Sequence, residues 1–266
     1  KTGIIGLGKM GGALLRGMLK AGAVVPEEVW VYDHHHENVQ ALQEEYPGVH
    51  EAPTEAVAAD AVEVLILAVK PHGILPLISS LSERGAELPL LISIAAAISL
   101  DDMEACASDG TRIVRAMPNT PCMVLSGVIA YSTGTAVTDE DEEAARLLSG
   151  CGSVFKVEES RMNAVSAISG CGPAYMFTAL DALSDAGVAM GLPRKTALEL
   201  AAGTMLGSAL MVEQTGEHPM ALRDAVTSPG GTTIAALNAL DECGFRNAWI
   251  QAVKRAVRRA EEMEGN

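Results

Sequence analysis

The sequence predicts an α/β domain, with a mostly parallel sheet and helices on both faces, followed by an all-α domain. Three observations predict it. A glycine-rich turn, Gly6, Gly8 and Gly11, closes the first apolar run. Strand and helix patterns then alternate as far as Val157, the order that builds a parallel sheet with flanking helices. After Val157 the strand patterns stop, and helical stretches rich in Ala, Gly, Met and Leu run from Asn163 to Glu264. The boundary is expected at 157–161, giving domains over 1–158 and 159–266.

In order, Thr2–Ile5 reads as a strand, and Lys9 to about Ala21 as an amphipathic helix carrying Leu14, Leu15, Met18 and Leu19. Val29–Tyr32 is the second strand, followed by a helix over Asn38–Glu45 that Pro47-Gly48 ends. Val57–Ala59 suits a short helix. Val62–Val69 is nearly continuous apolar, as expected of a strand buried on both faces. Pro71 suits a helix first turn, with Ile74–Leu81 as the helix body. Leu90–Ile94 is a strand. Ser99 caps a helix over Leu100–Ala107, and Asp101 and Asp102 complement its dipole. Arg112–Met117 is a strand, Pro118–Pro121 a loop, and Gly127–Tyr131 strand-like. Thr138 caps an acidic helix, Asp139–Leu148, and Val154–Val157 is the last strand.

The chain has 266 residues, 48% of them hydrophobic but only 3% aromatic, so Ala, Leu, Val and Gly must fill its cores. The formal net charge of -15 argues against nucleic acid and against an anionic membrane surface. The five cysteines form no C-x-x-C pair and read as reduced thiols of a cytoplasmic protein. No secretory leader is expected before Gly3. The apolar run Leu200–Val212 is shorter than the ~20 residues that span a membrane and reads as a buried helix. An Ala-rich helical set buries little apolar area per residue, so partner subunits are expected to complete its core.

Gly6, Gly8 and Gly11 form G-x-G-x-x-G in the strand–turn–helix setting of a Rossmann, dinucleotide-binding domain. Gly6 allows the turn, Gly8 lets backbone approach a pyrophosphate, and Gly11 lets the helix lie close on the strand. The helix start, with Leu7, Lys9 and Met10, offers N–H groups to the phosphates. A glycine turn in some other α/β unit is the alternative. Against it stands Asp33, at the end of the second strand, where an acid bonds the ribose 2′-hydroxyl and favours NAD over NADP. His34, His35 and His36 follow. Three consecutive imidazoles do not converge readily on one metal ion, so no metal is expected. Partly protonated, they would offset Asp33 and admit NADP.

Ala68-Val69-Lys70-Pro71 leaves a buried strand at the carboxyl edge of the sheet, where ligands bind. It is either a lining of the cofactor site or a solvated loop. Ala95-Ala96-Ala97 is either ordinary packing or room for a nicotinamide. Asn119, in Met117-Pro118-Asn119-Thr120-Pro121, is either a cofactor ligand or part of a rigid connector. Cys171, in Ser169-Gly170-Cys171-Gly172-Pro173-Ala174-Tyr175, has no histidine suggested beside it as a nucleophile would need. Asp181 and Asp185 read as a solvated or interface face. Ser228-Pro229-Gly230-Gly231-Thr232-Thr233-Ile234 offers successive N–H groups and two hydroxyls at a helix start, a cradle for a small carboxylate.

Taken together, these stretches resemble the pyrroline-5-carboxylate reductase family over nearly the whole chain. The resemblance implies a Rossmann domain, and a helical dimerisation domain that interlocks with that of another subunit. It implies NADPH or NADH as cofactor, an imino-acid substrate, and a homodimer through the C-terminal helices that a ring of dimers could extend. It also implies that Gly230, Gly231, Thr232 and Thr233 hold the substrate carboxylate, with Thr233 near the ring nitrogen, and that Glu159 and Glu217 stand near the substrate. This sequence departs from the family habit at Cys171, commonly serine, and at Ala97, commonly glycine. Asp33 and Glu55 stand where many members present neutral groups to a 2′-phosphate. The alternatives are a β-hydroxyacid dehydrogenase, whose catalytic lysine would have to lie in Pro173–Thr178 and does not, and a non-catalytic dinucleotide sensor.

Overall fold

A computed structural model describes residues 1–138 and 141–264. Eight strands among them form one sheet: β1 (Thr2–Ile5), β2 (Val29–Tyr32), β3 (His50–Glu51), β4 (Val64–Leu67), β5 (Leu90–Ser93), β6 (Ile113–Met117), β7 (Gly127–Thr133) and β8 (Gly152–Lys156). Their order is β3-β2-β1-β4-β5-β6-β7-β8, and every pairing is parallel except β6 with β7. β1 lies between β2 and β4, with Thr2 opposite both Val29 and Val64. The chain therefore runs outward from β1 to one side and then to the other, which leaves a crevice at the carboxyl ends of the central strands.

The two faces of the sheet account for the apolar runs. Successive side chains of a strand point to opposite faces. Ile4, Val31, Ile66, Ile92 and Val114 fall in one buried cluster. Ile5, Leu65, Leu67, Leu91 and Ile113 fall in the other. All ten are at most 1% exposed, and each such aliphatic contributes about 1.5–3 kcal/mol.

Helices α1 (Lys9–Lys20), α2 (His36–Glu45), α3 (Glu55–Asp60), α4 (Pro71–Ser82), α5 (Leu100–Cys106) and α6 (Asp141–Ser149) accompany the strands. Two starts differ from expectation. α2 begins two residues early, at His36. α3 begins at Glu55 because the Thr54 hydroxyl accepts from Val57 N–H at 3.2 Å. α4 begins at Pro71, as expected of a first turn, and runs through Pro76. Strand β3 was not anticipated, and β4 is shorter than the apolar run 62–69. The start of the acidic helix expected at Asp139 lies outside the described residues. The loop after β6 contains a 3-10 turn, Thr120–Val124.

From Met162 on the described chain is helical: α7 (Met162–Val165), a π-turn (Ser166–Gly170), α8 (Gly172–Ala189), α9 (Arg194–Thr215), α10 (Pro219–Ala225), α11 (Thr232–Glu242) and α12 (Phe245–Glu264). The chain divides into two compact units, Lys1–Cys171 with the residues from Ala256 on, and Gly172–Arg255. Within the second unit α8 and α9 pack closely: a Cβ at Gly187 would stand 3.0 Å from that of Ala197. Asp185 pairs with Arg194 at 2.5 Å, so this carboxylate ties α8 to α9. Tyr175, Trp249 and Phe245 form an edge-to-face series in the same unit. No helix among the described residues is long and apolar enough to cross a membrane.

Candidate active site

Each glycine of the first turn has a distinct steric reason. Gly6 has φ +98°, and a Cβ there would lie 2.7 Å from the Ala68 carbonyl oxygen. A Cβ at Gly11 would collide with the Gly6 carbonyl and crowd Ala68, so α1 can approach β1 and β4 only without one. A Cβ at Gly8 would meet nothing within 4 Å. Its side is open, and it faces a cavity. No side chain caps α1, which leaves its first-turn N–H groups for a ligand.

The cavity has a volume of about 710 Å³ and follows the strand order along the carboxyl edge of the sheet. Asp33, His34, His35 and Asn38 bound it beyond β2; Gly6, Gly8, Lys9, Met10 and Gly11 beyond β1; Ala68, Val69, Lys70 and Pro71 beyond β4; and Ile94, Ala95 and Ala96 beyond β5. Asp33 faces inward. Its Oδ2 accepts from Leu7 N–H at 2.5 Å and its Oδ1 from His35 N–H at 2.7 Å. The carboxylate therefore buttresses the glycine turn as well as marking the rim. Leu7 takes part through this amide; its side chain is buried. His34 Nδ1 lies 3.3 Å from the Tyr32 hydroxyl and its Nε2 3.8 Å from Glu55, while His36 meets Glu51 at 2.6 Å. No group of three or more metal-ligating side chains converges among the described residues.

In the second unit, Gly230 has φ +69° and Gly231 is the N-cap of α11, again with no side chain capping the helix. Gly231 N–H donates to the Ser228 carbonyl at 3.1 Å, which closes the turn. Thr232 and Thr233 open the helix, Thr233 half-buried and Thr232 exposed. Glu217 follows the left-handed Gly216 that ends α9, and its N–H donates to Thr215 Oγ1 at 3.1 Å.

Two family models match the chain. Residues 159–263 match the one described as pyrroline-5-carboxylate reductase dimerisation, and residues 1–97 the one described as NADP oxidoreductase, coenzyme F420-dependent. The pyrroline-5-carboxylate reductase of Methanosarcina acetivorans is 42% identical over 264 residues, 99% of this chain and 97% of its own. The chain belongs to the pyrroline-5-carboxylate reductase family. Solved structures agree: that of the Coxiella burnetii reductase has a TM-score of 0.92 at 34% identity, covering 98% of this chain and 97% of its own. That of the Plasmodium falciparum pyrroline carboxylate reductase, with NADP bound, has a TM-score of 0.88 at 30% identity, covering 99% and 98%. Members of this family are NAD(P)H-dependent oxidoreductases, and a dimerisation domain is part of the family pattern.

For a pyrroline-5-carboxylate reductase, the residues read from the sequence are distributed unevenly. Twelve of the fourteen named for the cofactor line the cavity: Gly6, Gly8, Lys9, Met10, Asp33, His34, Ala68, Val69, Lys70, Pro71, Ala95 and Ala96. Leu7 joins them through its amide. Asn119 does not line it. Its Oδ1 accepts from Val128 N–H at 2.9 Å and its Nδ2 donates to the Ser169 carbonyl at 3.0 Å, so the side chain ties the start of β7 to the π-turn. The Cys171 N–H reaches back to the Ser166 carbonyl at 2.8 Å, the five-residue step of that turn. Glu159 Oε1 accepts from Leu100 N–H at 2.6 Å and from Arg115 Nη1 at 2.9 Å. Sequence reasoning missed Ile5, Tyr32, Asn38 and Ile94 as lining residues. Their neighbours Asp33 and Ala95 were the available signal, since a lining turn carries more than one side chain.

Proposed function

We infer that this chain reduces 1-pyrroline-5-carboxylate to proline with NADH or NADPH, the last step of proline synthesis, as a cytoplasmic homodimer built through its C-terminal helices. The observation that carries this reading is the open cavity at Gly8, bounded at one end by an acid and at the other by Ala95 and Ala96, in a chain of this family. A bound reduced nicotinamide would supply hydride to the imine carbon, and the ring nitrogen is protonated. The protein's part is to bind, orient and exclude water. The glycine turn and the first amides of α1 hold the pyrophosphate, and the small side chains of Ala95 and Ala96 leave room for the nicotinamide. Gly230, Gly231 and Thr232 take the substrate carboxylate at the start of α11. Thr233, whose hydroxyl can donate or accept, holds the ring nitrogen. Glu217 supplies a further polar contact from the loop before α10. The functional division falls at 158/159, in keeping with the family match that begins at residue 159.

The negative charge of Asp33 disfavours a 2′-phosphate, so NADH is the better cofactor. Asp33→Asn keeps an acceptor oxygen for one amide and removes the charge. It is expected to raise the NADPH-to-NADH efficiency ratio by about ten-fold; an unchanged ratio removes Asp33 as the selector. The reaction itself is tested in two arms read by nicotinamide absorbance: oxidation of NADH and NADPH with 1-pyrroline-5-carboxylate, and reduction of NAD+ and NADP+ with 3-hydroxyisobutyrate. Turnover is expected with the imine alone. Turnover with the hydroxy acid alone would move the chain to the hydroxyacid dehydrogenases, and binding with no turnover would make it a sensor.

A further inference from the structure

The cavity ends at the loop between β5 and α5. Ala95 and Ala96 line it, and the next residue, Ala97, has φ +60°. A left-handed alanine costs about 1 kcal/mol, so its neighbours must hold the loop in place. Both ends are tied. At the near end, Ala95 N–H reaches the hydroxyl of the fully buried Ser93 at 3.4 Å. At the far end, Leu100 N–H donates to Glu159 Oε1 at 2.6 Å, across 59 residues of sequence.

Glu159 in turn is held from below. The oxygen that receives Leu100 also receives Arg115 Nη1 at 2.9 Å. Arg115 sits on β6 opposite Ser93 of β5 and is 5% exposed. Burying a guanidinium is costly unless a carboxylate meets it. Here the cost is met at a point one hydrogen bond away from the loop that closes the cavity. The resemblance to the family assigned Glu159 to the substrate, but its geometry gives it other work.

We propose that Glu159 and Arg115 are positioning residues that fix the Ala95–Ser99 loop against the nicotinamide end of the dinucleotide, and that Glu159 is not a substrate ligand. The proposal rests on the dinucleotide reading of the cavity. Two ligands separate its ends: NADH, which reaches the loop, and ADP, which carries the adenosine and both phosphates but no nicotinamide.

The experiment is calorimetric titration of the 266-residue chain with each ligand, for the native protein, Glu159→Ala and Glu159→Gln. Glu159→Ala is expected to weaken NADH about five- to ten-fold while ADP stays within about two-fold. Glu159→Gln keeps an acceptor for Leu100 N–H and should recover most of the NADH loss. At saturating NADH, the KM for 1-pyrroline-5-carboxylate should be unchanged in both variants. Leu100→Pro provides a second route should Glu159→Ala fail to fold. It deletes the amide donor, and also trims a buried core side chain, at the first position of α5, where proline is tolerated and where Ser99, at φ −77° and ψ 160°, already has the backbone that precedes a proline. It should shift NADH and spare ADP in the same way. Equal weakening of both ligands would overturn the proposal in favour of general loosening. Unchanged NADH affinity with a raised KM for the imine would overturn it in favour of a substrate contact. A native chain that binds neither ligand would defeat the dinucleotide reading itself. The binding arms need no turnover, so they stand whether or not the imine is reduced.

Discussion

The sheet unit and the helical unit treat the same kind of side chain in opposite ways. In the sheet unit, Ile4, Leu14, Leu65, Ile66, Ile78 and Ile92 are fully buried by their own chain. In the helical unit, Phe177 is 63% exposed, Met190 83% and Leu206 63%. Of the 22 residues of α9, only Ala197 and Ala201 are buried. The first unit closes its core by itself. The second is apolar on faces that nothing in its own chain covers, and water does not favour such a surface on a monomer. A dimerisation family model matches this unit, and uncovered apolar faces of this kind are what self-association would bury.

The largest effect should come from charging that uncovered surface. Leu206→Asp is expected to weaken self-association by about a hundred-fold or more, read by sedimentation velocity across a dilution series, with helix content kept. A variant that stays dimeric would break the comparison. The same logic runs the other way in the sheet. Ile66→Ala should cost about 2–5 kcal/mol of unfolding free energy in urea melts performed at one protein concentration, and leave the association state alone. A loss of the dimer there would blur the distinction between the units.

A smaller effect is expected at Ala97. Glycine accepts φ +60° without the steric cost of a Cβ, so Ala97→Gly should stabilise the fold by about 0.5–1 kcal/mol in the same melts. Destabilisation would mean that the methyl group is worth more in packing than it costs in strain. The smallest perturbation is labelling of thiols. Burial raises the Cys122 thiol above its ordinary value, and burial together with the neighbouring Cys122 pushes Cys151 up to about 12. Both should stay unalkylated by iodoacetamide in the folded sheet unit at neutral pH, while the exposed Cys243 of the helical unit reacts. Mass spectrometry of the labelled peptides reads the result, and early labelling of Cys151 would contradict the closed core.

The difference between the units also explains what could be read from the sequence. β1, β2, β4, β5 and β6 were legible because strands buried on both faces are nearly all apolar, and G-x-G-x-x-G carries its own steric logic. β3 was not, because His50 and Glu51 form a two-residue exposed edge with no apolar alternation. The antiparallel turn from β6 to β7 depends on Asn119, whose partners at Val128 and Ser169 are set by tertiary folding. The hydrogen bonds of Glu159 were hidden for the same reason. Its partners lie 44 and 59 residues away, and no local pattern joins them. The cofactor side of the site was legible because it is built from consecutive residues at strand ends.

The most direct test of the account uses Leu206→Asp again, now for function. Its sheet unit is intact, so it should bind NADH with the native dissociation constant. Its helical core is incomplete, so turnover of 1-pyrroline-5-carboxylate at saturating NADH should fall by about ten-fold or more. A monomeric Leu206→Asp chain that reduces the imine at the native rate would contradict the account.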